Sequence, residues 1–408
     1  MSLRRVGLGR KSFNAYRQLI APALFSEVKS LAKPLRSARV LHINSTARGG
    51  GVAQLLNSLI PLYNDLGIQT DWFTTEAVPS FYQITKKLHN SLQGAKVEIS
   101  PAEWRTYEAQ NQKFTSSLKS HKWDFIFIHD PQPAAIIKYA ELEMASWIWR
   151  CHLDLSRPHA PTLQQFQSYL SDYDAAIYTL KQYIPKALKL KRQLAIAPAI
   201  DPLSDTNRRL NLAECTAIVA GYGVDLKRPY IVQVSRFDVW KDPLGVITAW
   251  ERARRKIPGL QLVLVGDSAL DDPEGQSVLK AVMAKAARAA DIFIVTDSSS
   301  LAVNAFQTLA TVVLQKSIRE GFALTVSEAL WKGIPVIGGK VGGIPLQISD
   351  GQSGYLVATI SEAAERIAWL VGHPQPARKM GKAGREQVAK HFLLPRLMRD
   401  ELRLLSKI

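Results

Sequence analysis

The chain has 408 residues, of which 47% are apolar and 21% are charged. This composition is typical of folded globular proteins and excludes disordered and fibrous classes, while the length exceeds what one hydrophobic core usually supports. We therefore expect two domains. No apolar run approaches the roughly 20 residues of a membrane-spanning helix, and two cysteines, Cys151 and Cys215, are too few for a disulfide framework. The sequence thus predicts a cytoplasmic protein that does not cross a bilayer.

Lysine and arginine outnumber aspartate and glutamate by 52 to 35, which gives a net charge of +17. That excess favours anionic partners such as phosphate-bearing small molecules, anionic lipids or nucleic acids, although a solvated basic surface explains it equally well. The aromatic residues form no RNA-binding signature, so nucleic acid is not an expected partner. The N-terminal segment is basic and has no acidic residue before Glu27, as in targeting peptides, but residues 16–18 interrupt the apolar core that a secretory signal needs, so we interpret the segment as a docking helix.

Short apolar runs alternate with segments of helical length along the chain. Such runs predict strands of a parallel sheet that helices cover on both faces. In the first half they are RVLHIN (39–44), DFIFIHD (124–130), AAIYTL (175–180) and LAIAPAI (194–200). In the second half they are YIVQVSR (230–236), QLVLVGD (261–267), IFIVTD (292–297), VVLQ (312–315) and PVIGG (335–339).

The two series of strands predict an α/β protein with two doubly wound, Rossmann-like domains. We place the N-terminal domain at residues 1–205 and the C-terminal domain at 206–384, with a final helix at about 385–408 that crosses back onto the first domain. Two such domains are expected to face a deep cleft, because ligands of these sheets gather beyond the carboxyl ends of the strands.

Three glycines, Gly49, Gly50 and Gly51, directly follow the first predicted strand and precede a segment with apolar residues at helical spacing. A helix N-terminus presents unpaired N–H groups, and glycine lets a ligand lie against the main chain. The pattern favours a binding site for an anion or a sugar. A tight turn without a ligand explains the glycines about as well.

Two cations and two carboxylates follow strands of the second half. Arg236 and Lys241 stand in SRFDVWKDP, where they could neutralise a diphosphate or belong to an exposed surface loop. Glu320 lies in the loop after VVLQKSI, and Glu328 lies one or two turns into the next helix. Carboxylates accept hydrogen bonds from vicinal hydroxyls, so this pair suits a sugar and a ribose. The alternatives are a charge at a helix N-terminus for Glu320 and a solvated helix position for Glu328.

In the first half, His152 follows an apolar run, and Asp130 and Gln132 stand in the proline-containing loop HDPQP. A histidine in such a setting is more often a core residue than a catalyst, and turn chemistry explains the loop about as well as ligand binding. The chain contains no H-E-x-x-H, paired-cysteine or G-x-S-x-G motif, so we expect neither a metal site nor serine acyl transfer.

Several sequence blocks resemble one enzyme family. EGFALTVSE, SRFDVWKDP and GGGVA are similar to motifs of the retaining family 4 glycosyltransferases, which have the GT-B fold. Longer blocks, among them LHINSTARGGGVA, IHDPQPAA, WIWRCHLDLSRP and SEALWKGIPVIGGKVGGIPLQI, resemble the trehalose glycosyltransferring synthases, and the resemblance runs from about residue 25 to residue 400. It implies a retaining enzyme that joins the glucose of a nucleoside diphosphate glucose to free glucose and forms α,α-trehalose, with the favoured direction left open.

The resemblance also implies a role for each candidate residue. Arg236 and Lys241 would hold the donor diphosphate and stabilise its growing charge in place of a metal. Glu320 would bind the donor glucose and Glu328 the ribose, and His152 would lie near the reacting centre. Further donor-binding residues would be Gly49, Gly50, Gly51, Arg319, Gly321, Phe322, Leu324 and Thr325. The acceptor glucose would contact Asn44, Asp130, Gln132 and Arg150.

The implied mechanism is front-face attack, in which the acceptor hydroxyl enters on the side from which the diphosphate leaves and the leaving phosphate takes the proton. It needs no protein base, metal or other cofactor. The chain departs from the family pattern at two positions: Ala323 stands where relatives commonly have glycine, and Gln54 stands where they commonly have glutamate.

Other interpretations stay open at this point. A trehalose phosphorylase would use phosphate and no nucleotide, and a glucosyltransferase with another sugar or an anionic lipid as acceptor would fit the net charge of +17. A non-enzymatic nucleotide-sugar sensor would need the donor site alone. We expect no membrane association, and the sequence leaves the nucleotide base and a homodimer open.

Overall fold

The computed structural model describes residues 2–48, 50–118, 122–142, 144–266 and 273–408, so that Gly49 lies outside the described residues. The chain divides into two compact units: unit 1 contains Met1–Pro198 and Leu394–Ile408, and unit 2 contains Ala199–Leu393. The chain therefore changes unit after Pro198 rather than at residue 205, and it returns to unit 1 at Leu394 rather than at about residue 385.

Unit 1 is a sheet flanked by helices. Its strand order is β1-β3-β2-β4-β5-β6-β7, and every neighbouring pair is parallel except β1 with β3. The strands are β1 (Ser2–Arg5), β2 (Arg39–Asn44), β3 (Gln69–Glu76), β4 (Phe125–His129), β5 (Ser146–Arg150), β6 (Ala175–Tyr178) and β7 (Gln193–Ala195). Its longer helices are α1 (Pro22–Ala32), α2 (Gly50–Asp65), α3 (Pro79–Leu92), α4 (Pro101–Phe114), α5 (Ala160–Leu170) and α14 (Leu394–Leu405).

The predicted strands of unit 1 form because their residues can be buried on both faces of the sheet. Every residue of β2 after Arg39 is buried, and so is every residue of β6. The helix α2 presents the predicted apolar stripe, in which Leu55, Leu56 and Leu59 are buried. The expected alternation of strands and helices is confirmed here.

Unit 2 has a fully parallel sheet in the order β10-β9-β8-β11-β12-β13. Its strands are β8 (Tyr230–Val234), β9 (Gln261–Val265), β10 (Ile292–Val295), β11 (Val312–Gln315), β12 (Val336–Gly339) and β13 (Gly354–Val357). Its helices are α6 (Leu212–Gly221), α7 (Pro243–Arg254), α8 (Pro273–Ala286), α9 (Ser300–Leu309), α10 (Leu324–Trp331), α11 (Ile344–Gln347), α12 (Ile360–Gly372) and α13 (Pro374–His391). Across the described ranges, no helix is both long enough and apolar enough to cross a membrane.

The interpretation of the N-terminus as a docking helix is wrong for its first residues. They form β1, which pairs antiparallel with the edge strand β3 before α1 begins at Pro22. Arg4 lies 3.4 Å from Glu76, and Arg5 lies 2.5 Å from Asp71, both acids being on β3. Opposite charges across neighbouring strands stabilise their pairing, so the basic residues are used as strand partners.

Candidate active site

The loop that follows β8 carries both predicted cations. The Asp238 carboxylate caps the short 3-10 helix Val239–Lys241, because it accepts hydrogen bonds from the main-chain N–H groups of Trp240, at 2.9 Å, and Lys241, at 3.1 Å. The same carboxylate lies 3.3 Å from the guanidinium of Arg236, whose side chain is 56% exposed. One buried carboxylate thus fixes the loop and leaves much of Arg236 accessible to a ligand.

Lys241 and Glu320 form an ion pair, with side chains only 17% and 10% exposed. The Glu320 carboxylate also accepts a hydrogen bond from the Ser317 hydroxyl at 3.2 Å. The two residues meet because β8 and β11 are neighbouring parallel strands, whose carboxyl ends lie at the same edge of the sheet. The sequence predicted both residues as functional but did not predict that they pair.

A chain of hydrogen bonds supports the Glu320 carboxylate. The Thr325 hydroxyl donates to the amide oxygen of Gln315 at 3.0 Å. The amide nitrogen of Gln315 donates to the Ser317 hydroxyl, also at 3.0 Å, and Ser317 completes the chain to Glu320. Because Gln315 and Ser317 are buried, water competes little for these bonds. Sequence analysis missed both residues, although they are polar residues at the end of an apolar strand.

The main chain after Glu320 is held by α11 and by the residue that precedes this helix. The N–H group of Gly343 donates to the carbonyl of Gly321 at 3.1 Å, and the Gln347 amide donates to the carbonyl of Phe322. The Ser327 hydroxyl donates to the same Gln347 side chain at 2.6 Å. Gly321 and Phe322, both predicted to bind the donor, thus have their carbonyls engaged within the protein. Phe322 is 6% exposed, and its ring lies against that of Phe392 with centroids 5.7 Å apart.

The helix α10 begins at Leu324 without a side-chain cap. Unpaired N–H groups of a first helical turn favour an anion, which agrees with the predicted donor-binding role of Leu324 and Thr325. The preceding residue, Ala323, has a φ of 67°, in the left-handed region that favours glycine. The departure from the family pattern at this position therefore carries backbone strain.

Replacing Ala323 with glycine is expected to stabilise the protein by about 0.5–1 kcal/mol, because the relief of left-handed strain exceeds the added entropy of the unfolded chain. Thermal unfolding of the two proteins measures the effect. The matched control is Ala329→Gly, in the helical interior of α10, where glycine should lower the stability by about 1 kcal/mol. A lower unfolding temperature for Ala323→Gly would contradict the assignment of strain.

Glu328 is 2% exposed, so it is not the solvated helix position that the sequence left open. It lies one turn before Lys332, whose ammonium donates to the Glu328 carbonyl at 3.2 Å and to the Asn207 amide oxygen at 3.1 Å. Burial lowers the pKa of Lys332 to about 8, and the charge of Glu328 works against that shift. A buried carboxylate beside a lysine can accept hydrogen bonds from a ribose while its charge stays compensated.

Arg319 and Trp240 stack beside the ion pair. The Arg319 guanidinium lies over the Trp240 ring, 5.2 Å from its centroid. The main-chain carbonyl of Trp240 accepts a hydrogen bond from the N–H group of Ile318 at 2.8 Å, which fixes the position of the loop. Trp240 remains 40% exposed. Sequence analysis predicted Arg319 and missed Trp240, whose place next to Lys241 was the available signal.

In unit 1, His152 is the partly exposed end of a row of three histidines. The Nε2 atom of His152 lies 3.1 Å from Nδ1 of His129, and Nε2 of His129 lies 3.0 Å from Nδ1 of His42. His42 and His129 are buried in β2 and β4. Burial lowers the pKa of all three imidazoles, that of His42 to about 3. The row is therefore neutral at physiological pH, and sequence analysis found only its outer member.

Asp130 is the residue that holds the main chain of His152. It has a φ of 61°, and its carboxylate accepts a hydrogen bond from the N–H group of His152 at 2.8 Å. Burial raises the pKa of Asp130 to about 7, although the His152 N–H group and the charge of Arg150 favour its ionised form. The carboxylate is thus placed beside the candidate catalytic histidine at an energetic cost.

Asp130→Asn is expected to stabilise the protein above pH 7 by about 2–4 kcal/mol, because asparagine tolerates the left-handed conformation and can still accept the His152 hydrogen bond. The folded-state pKa of about 7 lies above the ordinary value of 3.8, so ionisation costs folding stability progressively as the pH rises between these values. Chemical denaturation at pH 4 and pH 8 tests this prediction. An equal difference at both pH values would contradict it.

The other predicted acceptor residues lie in less open surroundings. The Asn44 amide accepts from the Trp72 indole at 2.6 Å and donates to the Thr46 carbonyl at 2.7 Å, so both of its ends are used. Arg150 is 1% exposed, and its guanidinium is buried inside unit 1. The three guanidinium nitrogens of Arg150 are buried without a hydrogen-bond partner among the described residues, and the acceptor-binding role of Asn44 and Arg150 stays a prediction. Gln132 has a buried amide oxygen without a hydrogen-bond partner among the described residues, which keeps it a candidate.

Gly50 and Gly51 are the first residues of α2. Gly50 has a φ of 75°, which favours glycine, and a Cβ atom built there would have no described atom within 4 Å. The requirement for glycine at residue 50 is therefore conformational. The helix start agrees with the predicted strand-to-helix turn, and the role of the turn in donor binding stays a prediction.

Comparisons with known proteins connect these two sites to one family. Residues 42–185 match the family described as "Trehalose synthase, N-terminal domain", and residues 216–387 match "Glycosyl transferases group 1". A trehalose synthase of Rubrobacter xylanophilus is 46% identical, with 100% of this chain and 99% of that protein covered. A trehalose synthase of Pyrococcus horikoshii is 38% identical, with 98% and 97% covered.

More distant proteins share part of the sequence or the fold. A trehalose phosphorylase of Grifola frondosa is 29% identical over 86% of this chain but only 54% of that protein. The structure of a UDP-forming α,α-trehalose-phosphate synthase from Burkholderia xenovorans superposes with a TM-score of 0.73 at 13% identity, covering 90% of this chain and 100% of that one. This likeness confirms the predicted fold. The chain belongs to the trehalose synthase family of GT-B glycosyltransferases, and it is a glycosyltransferase that forms trehalose.

Proposed function

We propose that the chain transfers glucose from a nucleoside diphosphate glucose to free glucose, with retention of configuration and without a metal. The main evidence for the proposal is the ion pair of Lys241 and Glu320, because it combines a cation that can bind a diphosphate with a carboxylate that can bind sugar hydroxyls. Arg236 adds a second cation, a largely exposed and planar guanidinium that can bind a phosphate with two hydrogen bonds. A donor of this kind also agrees with the predicted cytoplasmic location.

The donor is proposed to bind to unit 2. Its diphosphate would lie between the cations and the uncapped start of α10, where Leu324 and Thr325 present main-chain N–H groups. Glu328, buried beside Lys332, would accept hydrogen bonds from the ribose. A phosphorylase has no use for a ribose contact, so the buried Glu328 favours a nucleotide donor over phosphate.

The acceptor glucose is proposed to bind to unit 1, at Asp130 and Gln132, with His152 toward the donor glucose. In the reaction, the bond between the anomeric carbon and the diphosphate oxygen breaks, and the acceptor hydroxyl oxygen bonds to the same face of that carbon. The acceptor proton passes to the leaving phosphate. Lys241 and Arg236 stabilise the negative charge on the diphosphate, and Glu320 holds the donor hydroxyls.

Incubation of the protein with free glucose and each nucleoside diphosphate glucose in turn, in the presence of a chelator, tests the proposal. The expected result is trehalose and an equal amount of one nucleoside diphosphate. Diphosphate release without trehalose would contradict glucose as the acceptor. Trehalose formation only from glucose 1-phosphate would contradict the nucleotide donor, and loss of activity with the chelator would contradict metal independence.

A further inference from the structure

The three histidines of unit 1 are linked so that the proton position in one ring determines the proton positions in the others. Each contact joins Nδ1 of one ring to Nε2 of the next, at 3.0 Å between His42 and His129 and at 3.1 Å between His129 and His152. The planes of neighbouring rings are close to parallel, with interplanar angles of 25° and 14°, as hydrogen bonds in the plane of the rings require. Each contact needs one N–H group and one bare nitrogen.

Neutral imidazoles leave this row only two arrangements. Burial keeps the pKa of each ring low, and the nearby charge of Arg150 further disfavours protonation of His129 and His152. A neutral ring has one N–H group, so either all three rings carry hydrogen on Nδ1 or all three carry it on Nε2. In the first arrangement His152 directs an N–H group away from the row, and in the second it directs a bare nitrogen.

The inner end of the row distinguishes the two arrangements. Nε2 of His42 is buried without a hydrogen-bond partner among the described residues, and the ring stacks on Phe127 with centroids 4.6 Å apart. Buried N–H groups without a partner are rarer in proteins than acceptors without one. A bare nitrogen at this end is therefore favoured, and it requires hydrogen on Nδ1 of every ring.

We propose that His42 and His129 are positioning residues that hold His152 in the Nδ1–H form, so that His152 offers a hydrogen-bond donor to its ligand. The identity of that ligand as the donor glucose rests on the function proposed above. Free neutral histidine in water prefers hydrogen on Nε2, so the row imposes the less common form. His152 then donates a hydrogen bond to a sugar oxygen and does not act as a general base.

Long-range proton–nitrogen NMR of histidine-labelled protein tests the proposal directly, because it distinguishes a protonated from a bare ring nitrogen. The chain has 8 histidines, and His152→Gln identifies the signals of that ring. The expected spectrum has His152 protonated at Nδ1 and bare at Nε2. Hydrogen on Nε2, or on both nitrogens near neutral pH, would overturn the proposal.

Two variants of His129 separate a hydrogen-bonding role from simple packing. His129→Asn places an amide near the former Nδ1 atom and can still donate to His152, so the Nδ1–H signals should persist. His129→Leu removes the donor, so His152 should shift toward Nε2–H and kcat should fall about tenfold at an unchanged KM for the donor. If both variants gave the same His152 spectrum, the row would not set the proton position.

His42→Phe provides an independent variant, since it keeps an aromatic ring against Phe127 and removes the first donor of the row. It too should move the His152 signals toward Nε2–H. The matched control is His159→Asn, because His159 pairs with the Thr162 hydroxyl at 3.0 Å and stands outside the row. The spectra require no substrate, so failure of the proposed transfer reaction would leave the NMR result intact. An unexpected NMR result would likewise leave the proposed transfer reaction intact.

Discussion

Replacing Lys241 with alanine is expected to lower the rate of trehalose formation by about 10²–10³-fold while the protein stays folded. The lysine ammonium pairs with Glu320 in a position with little exposure to water, so its charge acts on a leaving diphosphate without much screening. Initial rates at saturating donor and acceptor measure the loss. Thermal unfolding in the same buffer shows whether the variant is folded.

Glu320→Gln is expected to reduce the rate by a similar factor, because the amide can accept fewer hydrogen bonds from sugar hydroxyls and no longer pairs with Lys241. Residues that act as a unit lose activity in a non-additive way, so the double variant should be little worse than either single one. The control for the loss of a lysine charge, as in Lys241→Ala, is Lys285→Met. Lys285 also belongs to unit 2, where its ammonium donates to the Leu244 carbonyl at 3.1 Å. Normal turnover in both active-site variants would contradict the site assignment.

Gly343→Ala is expected to lower kcat/KM by about 10²-fold by displacing the main chain that follows Glu320. A Cβ atom at residue 343 would lie 2.7 Å from the Gly321 carbonyl oxygen and 2.8 Å from the Phe322 Cα atom. Ordinary contacts between such atoms are about 3.5–4.0 Å, so the loop must move by several tenths of an ångström or more. Steady-state kinetics on folded protein measures the loss.

The conformation of Gly343 makes the interpretation of that variant direct. Its φ of −84° is accessible to alanine, so the expected effect comes from the clash alone. Gly372→Ala is the matched control, since a Cβ atom there would have no described atom within 4 Å. Wild-type kinetics for Gly343→Ala would show that the position of residues 321–322 does not matter for transfer.

The sequence predicted most of the continuously apolar strands, such as β2, β4, β8 and β9, but it did not predict β5 or β13. It missed β3, because QTDWFTTE mixes polar and aromatic residues and buries several threonines. It missed β1, a charged edge strand that is stabilised by ion pairs to β3. In both strands the tertiary context outweighs the local pattern.

Within the candidate site, the sequence identified residues but not their contacts. The pairing of Lys241 with Glu320 depends on β8 and β11 being neighbours, which strand order determines and local pattern does not. The histidine row depends on the register of β2 against β4, in which His42 stands opposite Phe127. The buried state of Glu328 likewise required the packing of α10, since its residue type favours solvent.

The most direct test of the central claim is carbon-13 NMR of one reaction, in which a nucleoside diphosphate glucose labelled at the anomeric carbon is mixed with unlabelled glucose. We predict that the label appears in α,α-trehalose, with one nucleoside diphosphate released for each trehalose formed and with Lys241→Ala nearly inactive. A β-linked product, release of labelled free glucose, or a requirement for inorganic phosphate would contradict retaining transfer from a nucleotide sugar.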